Sequence, residues 1–99
     1  MATPEIIQSW AITETYLKKA KALLDSDVVS KNSGSLSLFD EFLNHNELGL
    51  AFEWLESIAM EDQWDSIKLL EVLKLAADNM SLFDKVNVLN KRIIELSGQ

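Results

Sequence analysis

Residues 65–78 read DSIKLLEVLKLAAD. The apolar residues of this segment cover most of the circumference of an α-helix and leave only a narrow polar strip. A helix that is apolar on most of its sides belongs at the centre of a fold, because exposure of any of these sides to water is unfavourable. We therefore predict a central helix that is capped by Asp65 and surrounded by other helices. Its apolar set is Leu69, Leu70, Val72, Leu73, Ala76 and Ala77.

The N-terminal segment predicts a long amphipathic helix. Thr3 can cap this helix, and Pro4 suits the first helical position because its missing N–H has no partner there. The apolar face recurs at helical spacing as far as about Leu24, so Trp10, which lies on this face, is expected in the core. Residues 25–35 have little apolar periodicity and are predicted as the longest connection. The face comprises Ile6, Trp10, Leu17, Ala20 and Leu24.

Further capping signals divide the rest of the chain into helices. Ser37 can cap a short helix that stops near residues 44–46, whose side chains compete with helical hydrogen bonds. Asn46 can cap the next helix, and Ser81 can cap the last one. Together with the central helix, these signals predict an all-α fold, a compact bundle of four to five helices that forms one domain over residues 1–99.

The composition is that of a soluble globular protein. The 99 residues are 47% hydrophobic and 25% charged, which lies close to the average for folded proteins and far from that of disordered chains. No uninterrupted apolar stretch approaches the roughly 20 residues that cross a bilayer, and the N-terminus has no basic region followed by an apolar segment. With no Cys in the chain, these features predict a cytoplasmic protein without a membrane span or a secretory signal.

The charge of the chain is strongly uneven. The formal net charge is −7, and no Lys or Arg occurs between Lys31 and Lys68. A surface of this sign repels phosphate groups and attracts basic proteins, so direct binding to DNA or RNA is not expected. Alternatively, each acid only solubilises the helix that carries it. The cation-free block contains Asp40, Glu41, Glu47, Glu53, Glu56, Glu61, Asp62 and Asp65.

Residues that could carry catalysis are scarce. The chain has one His, His45, and no Cys, so a zinc site of Cys and His ligands is not expected and a Cys–His nucleophile cannot be assembled. It also lacks a glycine-rich phosphate loop and a nucleophile elbow. We therefore expect no enzyme activity, no metal and no cofactor. His45 is expected to be structural, with its ring bonded to a helix cap or a backbone carbonyl.

One side of the helix after Asn46 combines an aromatic ring with acids. Helical spacings of three, four and seven residues bring positions 47, 50, 54 and 61 onto one flank. A Trp among acids is a candidate hot spot, because Trp concentrates binding energy while acids steer a basic partner. Alternatively, Trp54 packs beneath the preceding helix. The predicted partner-binding residues are Glu47, Leu50, Glu53, Trp54, Glu56, Glu61, Asp62, Trp64 and Asp65.

Gly49 lies inside the same predicted helix, where a Gly costs about 1 kcal/mol relative to Ala. Two explanations are open for this residue. Either a neighbouring helix approaches its backbone closely, or the missing side chain leaves room for the backbone of a partner.

Residues 42–55 read FLNHNELGLAFEWL. This stretch resembles the MafI family of small bacterial immunity proteins, with an apolar pair, a His and a Glu before a Leu-Ala-x-acid-x-Leu run. His45 and Glu47 match the family motif. The similarity covers residues 38–55, and the rest of the chain agrees with the family in its length, its acidity, its lack of Cys and its helix pattern.

The resemblance implies a cytoplasmic inhibitor that binds the toxic C-terminal domain of a secreted bacterial effector, as in contact-dependent growth inhibition. Such toxins are often nucleases, and an acidic face can cover their basic substrate cleft. The expected complex is a heterodimer of one monomer of this chain with one toxin domain, without nucleic acid or membrane. Trp54 and residues 25–35 lie outside the family pattern. The alternative is a small acidic helical adaptor or regulatory protein for a cytosolic partner.

Overall fold

The computed structural model of the chain describes residues 3–62 and 66–98, and these residues form six helices and no strand. The all-α prediction is confirmed, with one helix more than the four to five expected. No helix in these ranges is long and apolar enough to span a bilayer. The helices are α1 (Pro4–Ala22), α2 (Ser26–Lys31), α3 (Ser33–Asn44), α4 (Leu48–Asp62), α5 (Ile67–Asn79) and α6 (Phe83–Ser97).

The start of α1 follows the predicted capping chemistry. Thr3 has an extended backbone, and its Oγ1 accepts a hydrogen bond from the amide of Ile6 at 3.2 Å. Pro4 is the first helical residue. At the other end, the amides of Leu23 and Leu24 bond carbonyls of the last helical turn, so the chain leaves α1 close to the predicted end.

The segment predicted as a connection, residues 25–35, is largely helical. It contains α2 and the first turn of α3, so the prediction is wrong here. The segment is helical because the side chain of Val28 is buried in the core and anchors α2 there. The side-chain amide of Asn32 donates to the Val28 carbonyl at 2.9 Å and closes the helix. Ser37 consequently lies inside α3 and does not cap it.

The turns after α3 and α5 share one geometry. Each contains a residue with positive φ, Asn46 at 59° and Ser81 at 60°. The amide of the next residue bonds the carbonyl five positions earlier, as from Glu47 to Phe42 at 2.8 Å, and the equivalent bond after Ser81 measures 2.9 Å. This Schellman arrangement satisfies carbonyl groups at a helix C-terminus. The prediction that Asn46 and Ser81 cap the following helices is therefore wrong, since both close the preceding ones.

Helix α5 lies at the centre of the fold, as predicted. It contacts α1, α4 and α6, and all six residues of its predicted apolar set are buried. Ser66 caps it, because its Oγ accepts a hydrogen bond from the amide of Leu69 at 3.4 Å; the predicted cap, Asp65, lies outside the described residues. All six helices contribute to one apolar core, in which α3 packs on α4 and α6 packs on α5.

The first two turns of α1 extend beyond this core. Thr13, Leu17 and Ala20 are buried on the face that was predicted to be apolar, but Trp10 is 39% exposed and Ile6 is 44% exposed. A helix rises about 1.5 Å per residue, so α1 is longer than α5, on which it packs, by roughly 9 Å. The expectation that Trp10 is a core residue is therefore wrong.

Candidate partner-binding site

A shallow depression on the exposed side of α4 is the first candidate site. Leu50, Glu53, Trp54 and Ser57 line it, its volume is about 250 Å³, and we call these four residues the α4 face. Their spacings of three and four residues place them on one side of the helix. Leu50 is 44% exposed. The α4 face therefore presents apolar surface beside an acid, as a contact for another protein does.

Trp54 packs against the preceding helix and is also partly exposed. Its ring stacks on Phe42 of α3, with the ring centroids 6.5 Å apart and an interplanar angle of 24°. This contact packs Trp54 against the preceding helix. The ring is nevertheless only half-buried and lines the depression. A Trp that is held by a neighbouring ring loses little side-chain entropy when a partner covers it.

The acids of the cation-free block divide into two groups. Asp40 is paired, because Lys21 Nζ lies 2.9 Å from each of its carboxylate oxygens. Glu41, Glu47 and Glu53 are exposed and form no ion pair within residues 3–62 and 66–98. The three unpaired acids come from the end of α3, the turn that follows it and the α4 face. Along the chain, these three acids flank the start of α4.

Glu56 does not belong to this surface, which corrects one predicted contact. The residue is 7% exposed, and its Oε1 lies 2.8 Å from Nζ of Lys85 on α6. The pKa of Lys85 is raised by the hydrogen bond to Glu56 and by the negative charges of Glu56 and Glu53, against the opposing effect of burial. Glu56 lies four positions after Phe52 and three before Ala59, and both of these residues are buried. This helical spacing was the signal in the sequence that Glu56 faces inward.

Four of the predicted partner-binding residues carry no structural description. The side chains of Glu61 and Asp62, together with Trp64 and Asp65, lie outside the part of the chain that the structure describes. Their contribution to a contact surface remains a prediction.

The structure excludes one of the two explanations for Gly49. A Cβ built on this residue would meet nothing within 4 Å, so no neighbouring helix approaches its backbone. The close-approach explanation is therefore wrong, and open space lies over the residue. His45 is the C-cap of α3 and is exposed. Its ring forms no hydrogen bond with the described residues, so the expected bond to a cap or carbonyl is not made.

A second depression lies next to Gly49 and was not predicted. It has a volume of about 500 Å³ and lies between the first turns of α1 and the turns that follow α3 and α5, and we call it the α1 groove. No single stretch of sequence could indicate it, since its walls come from three distant segments. Residues that line it include Ile6, Trp10, Asn46, Gly49, Asn79 and Leu82.

Within the described residues, no three His, Cys, Asp or Glu side chains are grouped so that they could hold a metal ion. The arrangement of an exposed apolar depression, a stacked Trp and unpaired acids is suited to contact with a protein of opposite charge. In comparisons with known proteins, the chain matches no family model, no curated protein and no solved structure.

Proposed function

We propose that this chain is an immunity-type inhibitor that binds the basic toxic domain of a bacterial effector through the α4 face and the acids around it. The toxin is a nuclease in this proposal, and the carboxylates occupy positions that substrate phosphates would take. The observation that carries the proposal is the depression lined by Leu50, Glu53 and Trp54, with the exposed, unpaired acids Glu41 and Glu47 in the chain segments that precede it. The resemblance of residues 42–55 to MafI proteins supports the same function.

Electrostatics gives this surface a defined kinetic role. A chain with a net charge of −7 attracts a basic partner over distances comparable to the Debye length, which is about 8 Å at physiological salt. Steering of this kind raises association rates by roughly 10-fold to 1,000-fold and weakens as salt is added. The apolar contact of Leu50 and Trp54 then governs dissociation, since buried aromatic anchors hold most of the energy of an interface.

The decisive experiment co-expresses the chain with the C-terminal domain of the protein that the adjacent upstream gene encodes. We expect that cell growth is restored and that the two proteins purify as one complex. A domain that stays toxic and does not bind would contradict the proposed function. Binding without restored growth would favour the adaptor alternative instead.

Charge reversals then test the surface itself. We expect Glu47→Lys and Glu53→Lys each to weaken the complex by about 10-fold or more at low salt, with a smaller effect at high salt. Glu71→Lys is the matched control, because Glu71 is an exposed acid on α5 and its reversal changes the net charge equally. If all three variants weaken the complex to the same extent, only the overall charge matters and the assignment to the α4 face is wrong.

A further inference from the structure

The α1 groove contains apolar surface that the fold itself leaves uncovered. Ile6 and Trp10 occupy the same side of α1 as buried Thr13 and Leu17, because the four residues are spaced by four, three and four positions. Ile6 and Trp10 are 44% and 39% exposed, because the groove lies over them where further core residues would otherwise pack. An apolar side chain placed there would be packed on three sides, by α1 and by the two turns.

The groove is built in advance of any ligand. The Asn79 side-chain amide donates to the Ser9 carbonyl at 2.8 Å and to Thr13 Oγ1 at 2.6 Å, which fastens the end of α5 to α1 at the base of the groove. The other walls are the two Schellman turns, whose left-handed residues Asn46 and Ser81 are fixed by backbone hydrogen bonds. A partner would therefore spend little free energy on ordering this site.

The chain segments that form the groove carry unpaired charge of one sign. The segments that line it lie within residues 3–17, 41–53 and 75–84, and none of these ranges contains a Lys or Arg. Lys85 follows the last range, but its ammonium group is engaged by Glu56. Each of the following acids is exposed, lies next to a lining residue or two positions from it, and forms no ion pair within the described chain: Glu5, Glu47, Asp78 and Asp84.

We infer that the α1 groove receives an apolar side chain from a basic segment of the partner protein, with Lys or Arg residues next to that side chain contacting the unpaired acids of these segments. This inference rests on the proposed function, because the partner is the same basic domain. Gly49 lines the groove and Leu50 lines the α4 face. One partner surface can therefore cover both depressions across the start of α4.

Two matched substitutions test the groove. Gly49→Phe places a ring at its wall, whereas Gly34→Phe makes the same change in α3, away from it. Both glycines are helical and exposed, and a Cβ at either would meet nothing within 4 Å. Both variants should therefore fold, which circular dichroism and thermal unfolding would verify.

The first probe is a synthetic basic helix of about 14 residues, roughly four turns, with Leu on one side and Lys on the other. Its control has Ser in place of Leu and the same charge. By NMR titration we expect the Leu-containing peptide to shift the signals of Trp10, Gly49 and Leu82, and Gly49→Phe to weaken it by about 10-fold or more. Gly34→Phe should bind like the wild type, and the Ser-containing peptide should be insensitive to both variants.

The results separate the inference from the proposed function. If Gly49→Phe and Gly34→Phe bind the Leu-containing peptide equally, or if the shifted signals lie elsewhere, the groove is not the site. In the toxin assay, a wild-type complex that Gly49→Phe does not weaken would overturn the groove while the proposed function stands. A toxin domain that does not bind the wild type would remove the proposed function, and the peptide titration would still decide what the groove accepts.

Discussion

The ion pair between Lys85 and Glu56 leads to a prediction about stability. Replacing Lys85 by Met keeps the aliphatic stem but leaves the Glu56 carboxylate without its cation. The Glu56 side chain is 9% exposed, whereas that of Lys85 is 40% exposed. Removing one partner of a fully buried pair costs about 3–5 kcal/mol, and exposed pairs contribute about 0–1 kcal/mol. Because this pair lies between the two cases, we expect Lys85→Met to lower the free energy of unfolding by about 1–2 kcal/mol.

Urea denaturation followed by helical circular dichroism measures this change. For a domain of this size the melting temperature should fall by about 4–8 °C per kcal/mol. The double variant Lys85→Met with Glu56→Gln should recover part of the loss, because a neutral amide is cheaper to bury than an unpaired carboxylate. A Lys85→Met protein within about 0.5 kcal/mol of the wild type, or a double variant no more stable than the single one, would refute the reasoning.

The pH dependence supplies a second measurement on the same pair. The pKa of Lys85 is raised above its ordinary value of 10.5, chiefly by the hydrogen bond to Glu56. The folded state therefore holds this proton more tightly than the unfolded state does. The stabilisation is fully present below about pH 10.5 and is lost as the pH rises through the folded pKa. The difference in stability between the wild type and Lys85→Met should thus be constant near neutral pH and shrink in this alkaline range.

Three further substitutions have expected effects on the free energy of unfolding, each measurable by urea denaturation. Gly49→Ala should stabilise by about 0.5–1 kcal/mol, since a helical Gly is replaced where space is open; a loss would mean that the space over Gly49 is occupied. Asn79→Ala should destabilise by about 1–3 kcal/mol, because the buried Thr13 hydroxyl and the Ser9 carbonyl lose a donor; an unchanged value would contradict the tie between α5 and α1. Ser81→Gly should stabilise by up to about 1 kcal/mol by relieving the left-handed backbone; a clear loss would show that the Ser side chain has a role of its own.

Local pattern was sufficient for the centre of the fold. Helix α5 could be predicted as central because apolar residues cover most of its circumference. The beginning of α1 could be predicted because a capping residue, Thr3, directly precedes Pro4. Helix α2 could not be predicted, because Val28 is the residue that anchors it in the core. A single core residue gives no helical periodicity in the sequence. The exposure of Trp10 also escaped prediction, because it depends on how far the start of α1 extends beyond the end of α5.

The candidate site was partly predictable for a related reason. Spacing along one helix groups Leu50, Glu53 and Trp54, and the structure has them around one depression. Ion pairs between different helices cannot be predicted from the spacing of residues along one helix. Lys85 reaches Glu56 over 29 positions, so a block without cations in the sequence receives cations in the folded chain. The α1 groove likewise depends on three separate segments, and the sequence pattern of each alone resembles an ordinary helix end.

The fastening of α5 to α1 has a consequence for the order of folding. Helices α3 and α4 are neighbours along the chain, as are α5 and α6, so each pair can form with little loss of loop entropy. Docking α1 on α5 joins positions 70 residues apart, as from Ser9 to Asn79, and contacts of high sequence separation slow folding. We expect this docking to limit the rate, which stopped-flow refolding of Asn79→Ala would test as a slower refolding phase. The α1 groove would then be the last surface of the molecule to form, and nascent chains would lack it until the final step.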